Sequence, residues 1–191
     1  MALAPFSSPF AAILAKVVAR VASALGVDVA FVTPVANDRY KVTVSETVFA
    51  YVQAFGVGSP RDPALSFENA GAGNLGRPVA RRIRVYVYTR AGFDVFGSDS
   101  TALLGASTGQ TVETPPTYPG AFAAGEVVFS SLSDYTPVAS GRSLTLGPLH
   151  PLDTQGGPPE RKAEDDAGLV REMLDFEAVY VLSVVKTEPN L

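Results

Sequence analysis

The run Arg81-Arg82-Ile83-Arg84-Val85-Tyr86-Val87-Tyr88-Thr89-Arg90 alternates between two kinds of residue, a period that a strand satisfies and a helix does not. Ile83, Val85, Val87 and Thr89 point one way; Arg82, Arg84, Tyr86, Tyr88 and Arg90 point the other. Such a strand buries its apolar face and leaves an arginine–tyrosine face to meet something else. Arg and Tyr are enriched at the energetic centres of protein interfaces. The candidate subunit-contact residues are therefore Arg82, Arg84, Tyr86, Tyr88 and Arg90. An ordinary solvated sheet face with snorkelling arginines has the same pattern.

A second alternation runs over residues 169–186. Leu174, Phe176, Ala178, Tyr180, Leu182 and Val184 line one face; Met173, Asp175, Glu177, Val179, Val181 and Val185 line the other. Its second half is apolar on both faces, which suits a central strand or one covered by a neighbour. Asp175 and Glu177 share a face and invite a general acid/base reading. Carboxylates on the wet face of a strand are more often paired with cross-strand arginines, here Arg82 and Arg84.

Around these strands the chain alternates elements with loops. Residues 1–8 read as an N-terminal arm. A helix follows, with Ser8 as N-cap and Pro9 at the first helical position. Phe10, Ile13, Leu14, Val17, Val18, Val21, Ala24 and Leu25 recur at spacings of three and four, and Gly26 ends the helix. Residues 27–32 read as a short extended segment ending before Pro34. Tyr40, Val42 and Val44 alternate, and residues 48–55 are rich in β-branched and aromatic types, so strands are expected there. Residues 57–79 lie in a stretch dense in Gly, Pro, Asn and Ser, a long inserted loop whose flanking strands pair as an antiparallel hairpin.

Residues 105–119 form another loop. A second helix is expected from Pro119 to about Ser133, with Phe122, Val128, Phe129 and Leu132 on one face and Gly120 and Gly125 weakening it. A short strand over 142–149 and a charged, Pro/Gly-rich loop over 154–167 precede the final strand. Strands joined through hairpins, with helices on a face, give a single α+β domain over 1–191: a largely antiparallel β-sheet, two packed α-helices and long projecting loops.

Composition narrows the function. The chain is 47% hydrophobic and 18% charged, against about 25% charged in ordinary soluble domains. No window holds the ~20 uninterrupted apolar residues of a membrane span. The run 10–25 carries Lys16 and Arg20 and lacks a basic stretch ahead of it, so it fails as a span and as a signal peptide. The surplus apolar surface is expected to meet protein. With no cysteine, disulfides, thiolate zinc sites, iron–sulfur clusters and cysteine nucleophiles are all excluded. The one histidine, His150, builds no multi-His metal site and reads as structural or exposed. A net charge of −4 argues against a protein that coats nucleic acid.

No reactive motif emerges. Gly71, Gly73 and Gly76 match G-x-G-x-x-G only superficially, because the next element is a strand where a dinucleotide site needs a helix N-terminus. There is no Gly-Lys-Ser/Thr anywhere in the chain. Glu160, Glu164, Asp165 and Asp166 interleave with Arg161 and Lys162 as a solvated charge run, out of register for calcium. No catalytic, metal or cofactor-binding residues are therefore assigned, no cofactor is expected, and the expected work is assembly.

The chain resembles the tail-terminator (tail-completion) proteins of long-tailed bacteriophages and prophages. The resemblance rests on the N-terminal amphipathic helix and short strand, then RRIRVYVYTRAGFDVFGSDSTALL, with Asp94, Gly97 and Asp99 in a D-x-x-G-x-D-like turn. A second helix near 120–135 and the closing strand DFEAVYVLSVV complete it. The resemblance implies a virion protein, made in the host cytoplasm. It forms a homo-oligomeric ring, usually of six copies, at the head-proximal end of the tail tube, with tube and neck proteins as partners. Genome DNA would pass through without specific binding, and no membrane is involved. Another neck component such as a stopper or connector is a related reading. A small-ligand-binding α+β domain, with a pocket between helices and sheet, is a reading of a different class. On the assembly reading, reversing charge at Arg84 and Tyr88 together should leave a folded monomer that forms no rings.

Overall fold

The computed structural model describes residues 8–35, 48–62, 76–90, 105–106, 118–152, 160–161 and 169–183. The N-terminal arm before Ser8, the alternation at Tyr40–Val44, the turn at Asp94, Gly97 and Asp99, and most of the 154–167 run fall outside them. The described part is an α+β fold with a mostly antiparallel sheet.

Helix α1 spans Pro9–Leu25. Its start follows the expected signals, although the Ser8 side chain makes no capping bond and the Ser8 carbonyl accepts from Ala11 N–H instead, at 3.0 Å. At the other end Gly26 adopts φ +66°, and the Gly26 and Val27 amides reach back to Ser23 and Ala22, closing the helix where a side chain would be strained. Phe10, Ile13, Val17, Val18, Val21 and Ala22 are buried, as the apolar stripe requires.

The chain then turns through a short 3-10 segment, Val29–Phe31, capped by the Asp28 side chain, which accepts from Ala30 N–H at 2.8 Å. Strand β1 is Val32–Val35, so the extended segment begins later than expected and includes Pro34. Proline is tolerated there because β1 is an edge strand among the described residues. It pairs in parallel with β2, Val48–Gly58, which pairs antiparallel with β3, Gly76–Arg90. The hairpin expected around the inserted loop is present, but its strands extend to Gly58 and from Gly76, claiming residues expected to be loop. Strand β10, Leu169–Ser183, pairs along the whole length of β3 from Leu169 opposite Arg90 to Ser183 opposite Gly76.

Two short strands finish the far side of β10: β8, His150–Pro151, and β9, Glu160–Arg161. Small two-stranded pairs are formed by β4 (Gly105–Ala106) with β5 (Tyr118–Pro119), and by β6 (Val138–Ala139) with β7 (Arg142–Ser143). The expected strand over 142–149 therefore reduces to β7 and, beyond it, β8. Ser140 and Gly141, both at positive φ, make the tight two-residue turn between β6 and β7. Beyond Ser143, hydroxyl-to-carbonyl bonds from Ser143 to Thr145 and from Thr145 to Gly147 replace strand pairing with local turns.

Helix α2 is Ala121–Leu132. Its packed side is Ala121, Ala124, Gly125, Val128 and Leu132, so the expected face is half right: Val128 and Leu132 are buried, while Phe122 and Phe129 are exposed. Small residues sit inward because α2 lies close on β10. A Cβ built on Gly125 would fall 1.6 Å from Glu172 Oε2. Both helices cover one sheet face, where Ala50, Val52, Ile83, Val85, Val87, Leu174, Phe176 and Ala178 form the main core with them.

Gly125→Ala is expected to stabilise the protein by about 0.5–1 kcal/mol at pH 8, because alanine gains helix propensity and the atom it displaces is the end of a flexible side chain. Urea denaturation checks this; a loss above about 1 kcal/mol would mean Glu172 has nowhere to go.

Candidate functional site

The sheet face away from the helices carries the expected arginine–tyrosine residues, and the register turns them into rows. His150, Glu177 and Arg82 are in register across β8, β10 and β3. Asp175, Arg84 and Gln53 form the next row, then Met173, Tyr86 and Tyr51, then Arg171, Tyr88 and Phe49. The face is thus polar at one end and aromatic at the other.

At the aromatic end the rings pack on one another. Phe49 and Tyr88 stack with centroids 4.9 Å apart and planes 4° apart, and Tyr51 meets Tyr88 edge-on at 5.5 Å. With Tyr86 they form a second core, against which Phe31, Val35 and Met173 pack. Tyr86 is 3% exposed and Tyr88 1%. Two of the candidate contact residues, Tyr86 and Tyr88, are therefore interior to this chain and cannot present themselves to another subunit. The expected double charge reversal at Arg84 and Tyr88 is corrected for the same reason, since it would bury a charge. Alternation revealed that these rings share a face; it could not reveal that the face is covered.

In the middle row Asp175 is the hub. Arg84 donates to it bidentately, Nε to Oδ1 at 2.7 Å and Nη2 to Oδ2 at 2.9 Å, and Arg82 Nη2 donates to the same Oδ2. The Asp175 side chain is 0% exposed, whereas those of Arg82 and Arg84 keep 40% and 25% of their surface. The cross-strand pairing expected of Asp175 is present, on a buried site and not on a wet face. Both Asp175 oxygens are held by guanidinium donors and shielded from solvent, so this carboxylate has no access to a substrate. Desolvation holds Arg82 below the usual guanidinium value, helped by repulsion from Arg84 and Arg61.

A bulge in β2 serves this cluster. Register slips between Ala54 and Val57, so Phe55 and Gly56 together stand against Arg82. The Phe55 ring lies under both guanidinium groups, at 5.6 Å from Arg82 and 5.4 Å from Arg84. Deeper in, Tyr86 donates to Gln53 Oε1 at 2.8 Å, and Arg171 sits 5.3 Å from the Tyr86 ring. Arg90, the last candidate, pairs through its backbone with Leu169; its side chain lies outside the described residues.

The polar end opens into a cavity of about 340 Å³ lined by Arg61, Asp62, His150, Pro151, Leu152 and Glu177. The Glu177 carboxylate faces it and accepts from the Arg61 backbone N–H at 3.3 Å. This gathering was invisible in the sequence, because only the sheet order sets His150 beside Glu177. Between the helices and the sheet, where a pocket was expected on the ligand-binding reading, the space near Ala24, Leu25, Val48, Ala123, Ala124 and Val127 is about 110 Å³.

Among the described residues no group of three or more His, Cys, Asp or Glu is placed to hold a metal ion. None of their helices is long and apolar enough to cross a membrane. No protein-family model matches the chain, and no curated protein matches it significantly.

Proposed function

We propose that this chain is a structural virion protein, a ring-forming subunit at the head-proximal end of a phage tail tube that ends tube growth and joins the tail to the neck. The observation that carries the reading is the combination of few charges with large apolar side chains left exposed on the described sheet-and-helix unit. Phe122, Val127 and Phe129 on α2, Val138 and Leu146 beyond it, Val29 and Val57 near the β1 side, and Val181 on β10 are all open. They lie on different elements, as a closed ring needs, because each subunit shows two unlike faces to its neighbours. The resemblance drawn from residues 81–104, 120–135 and 175–185 points to the junction of tail and neck. With Tyr86 and Tyr88 interior, the subunit contact is reassigned to Arg82, which keeps much of its surface, and to the Phe122–Phe129 side of α2. Among the described residues β1 is an edge strand, the kind of element that strand pairing between subunits uses.

Mass photometry of the purified chain tests this. The expected particle is near six times the 20.0 kDa of one subunit. A monomer persisting at micromolar concentration removes the assembly reading. One observation favours a second reading: the cavity beside His150 and Glu177 has the volume of a small-molecule site. A monomer whose melting temperature rises with a small polar metabolite would support a ligand-binding domain instead.

A further inference from the structure

Glu172 is out of place. Its neighbours along the helix-side face of β10 are Val170 and Leu174, and its register partner on β3 is Val87. Its carboxyl group lies in the notch that Gly125 leaves on α2: a Cβ there would sit 1.6 Å from Oε2, 2.2 Å from Cδ and 2.7 Å from Oε1. Oε2 is buried and has no hydrogen-bond partner among the described residues. Burial, and then the neighbouring Glu126 carboxylate on α2, push the Glu172 carboxyl up to about 7.

Among the described side chains none forms an ion pair with Glu172. From α1, Arg20 is engaged at the far end of α2, with Nε donating to the Ser131 carbonyl at 3.2 Å and the guanidinium 5.2 Å from the Tyr135 ring. Lys16 on α1 is exposed. Strand β9 places Arg161 in register with Val170, on the face that Glu172 shares, and Glu160 with Arg171 on the other; the side chains of both lie outside the described residues.

We propose that the α2–β10 contact is a proton-gated seat, in which Glu172 occupies the Gly125 notch as its neutral acid and its ionisation beside Glu126 loosens α2 from the sheet. The sign follows from the direction of the shift. An acid easier to protonate in the folded chain than in the unfolded one stabilises the seat at low pH, and that contribution is lost as pH rises through the folded value. The working window is therefore about pH 5–8. Loosening acts where Phe129 lies 6.0 Å from Phe176, so it would bare part of the apolar face of β10. The device is independent of any ring.

Hydrogen exchange of the α2 amides, expressed as protection factors to remove the intrinsic pH dependence, tests it on the whole chain. Protection over Ala121–Leu132 should fall by up to about tenfold between pH 6 and 8.5, because only about one pH unit of the window lies between pH 6 and the folded value. Glu172→Gln, a neutral isostere, should hold protection high and flat, and Glu126→Gln should move the midpoint down. Wild-type protection constant within about twofold across that range overturns the proposal, as does a Glu172→Gln slope equal to wild type. Carbon-13 titration of the Glu172 carboxyl in the wild-type chain decides it even if a variant misfolds: a midpoint near 7 supports the gate, and one below about 5 ends it.

Discussion

Asp175→Ala should cost about 3–5 kcal/mol, a large share of the 5–15 kcal/mol that holds a typical domain together. The reason lies less in the ion pairs gained than in what their loss leaves behind. With Asp175 gone, Arg82 and Arg84 remain side by side over Phe55 with no counter-charge between them. Arg84 already disfavours charge on Arg82. Because Arg82 is partly open to water, it can swing outward, which sets the loss nearer the lower figure. Asp175→Asn keeps the shape and one acceptor and should lose about half as much. Urea denaturation at low and at about 0.5 M salt is the measurement. An exposed pair would fade with salt, whereas this buried hub should not. A loss under about 1 kcal/mol, or one that disappears in salt, would show that Asp175 is not the hub.

Tyr88→Glu should be at least as damaging, about 4 kcal/mol or more, and should yield little soluble protein. The substitution removes a ring stacked on Phe49 and edge-on to Tyr51 and puts a carboxylate at a buried position, with Arg171 in register opposite. Tyr88→Phe, which keeps the stack, should retain most of the stability. Circular dichroism melts of the two variants separate the cases. A well-folded Tyr88→Glu protein would return Tyr88 to the surface and revive its candidacy as a contact residue.

The parts of this fold that could be read in advance are those where one period decides. Helix α1 was legible because its apolar spacing, Pro9 and Gly26 agree. Strands β3 and β10 were legible because alternation over that length admits no other element, and the Asp175–arginine pairing followed from two strands with complementary faces. Helix α2 was legible as a helix but not in its rotation: Phe122 and Phe129 looked like anchors, yet close approach to β10 selected Ala124 and Gly125. The covering of Tyr86 and Tyr88 depends on what lies over the sheet, which no local pattern encodes. The cavity at His150 and Glu177 depends on β8 pairing with β10, two residues long and far too brief to signal itself.

Strand β10 sits between β3 on one side and β8 and β9 on the other, yet in chain order it comes after all of them. Of the described strands of this sheet, an interior one is consequently the last to emerge from the ribosome. Until then β3 holds an open backbone edge with Val85 and Val87 beside it, a template for mispairing between nascent copies. Folding of this protein is thus weighted toward slow, long-distance closure, and its yield should depend on how long that gap stays unfilled.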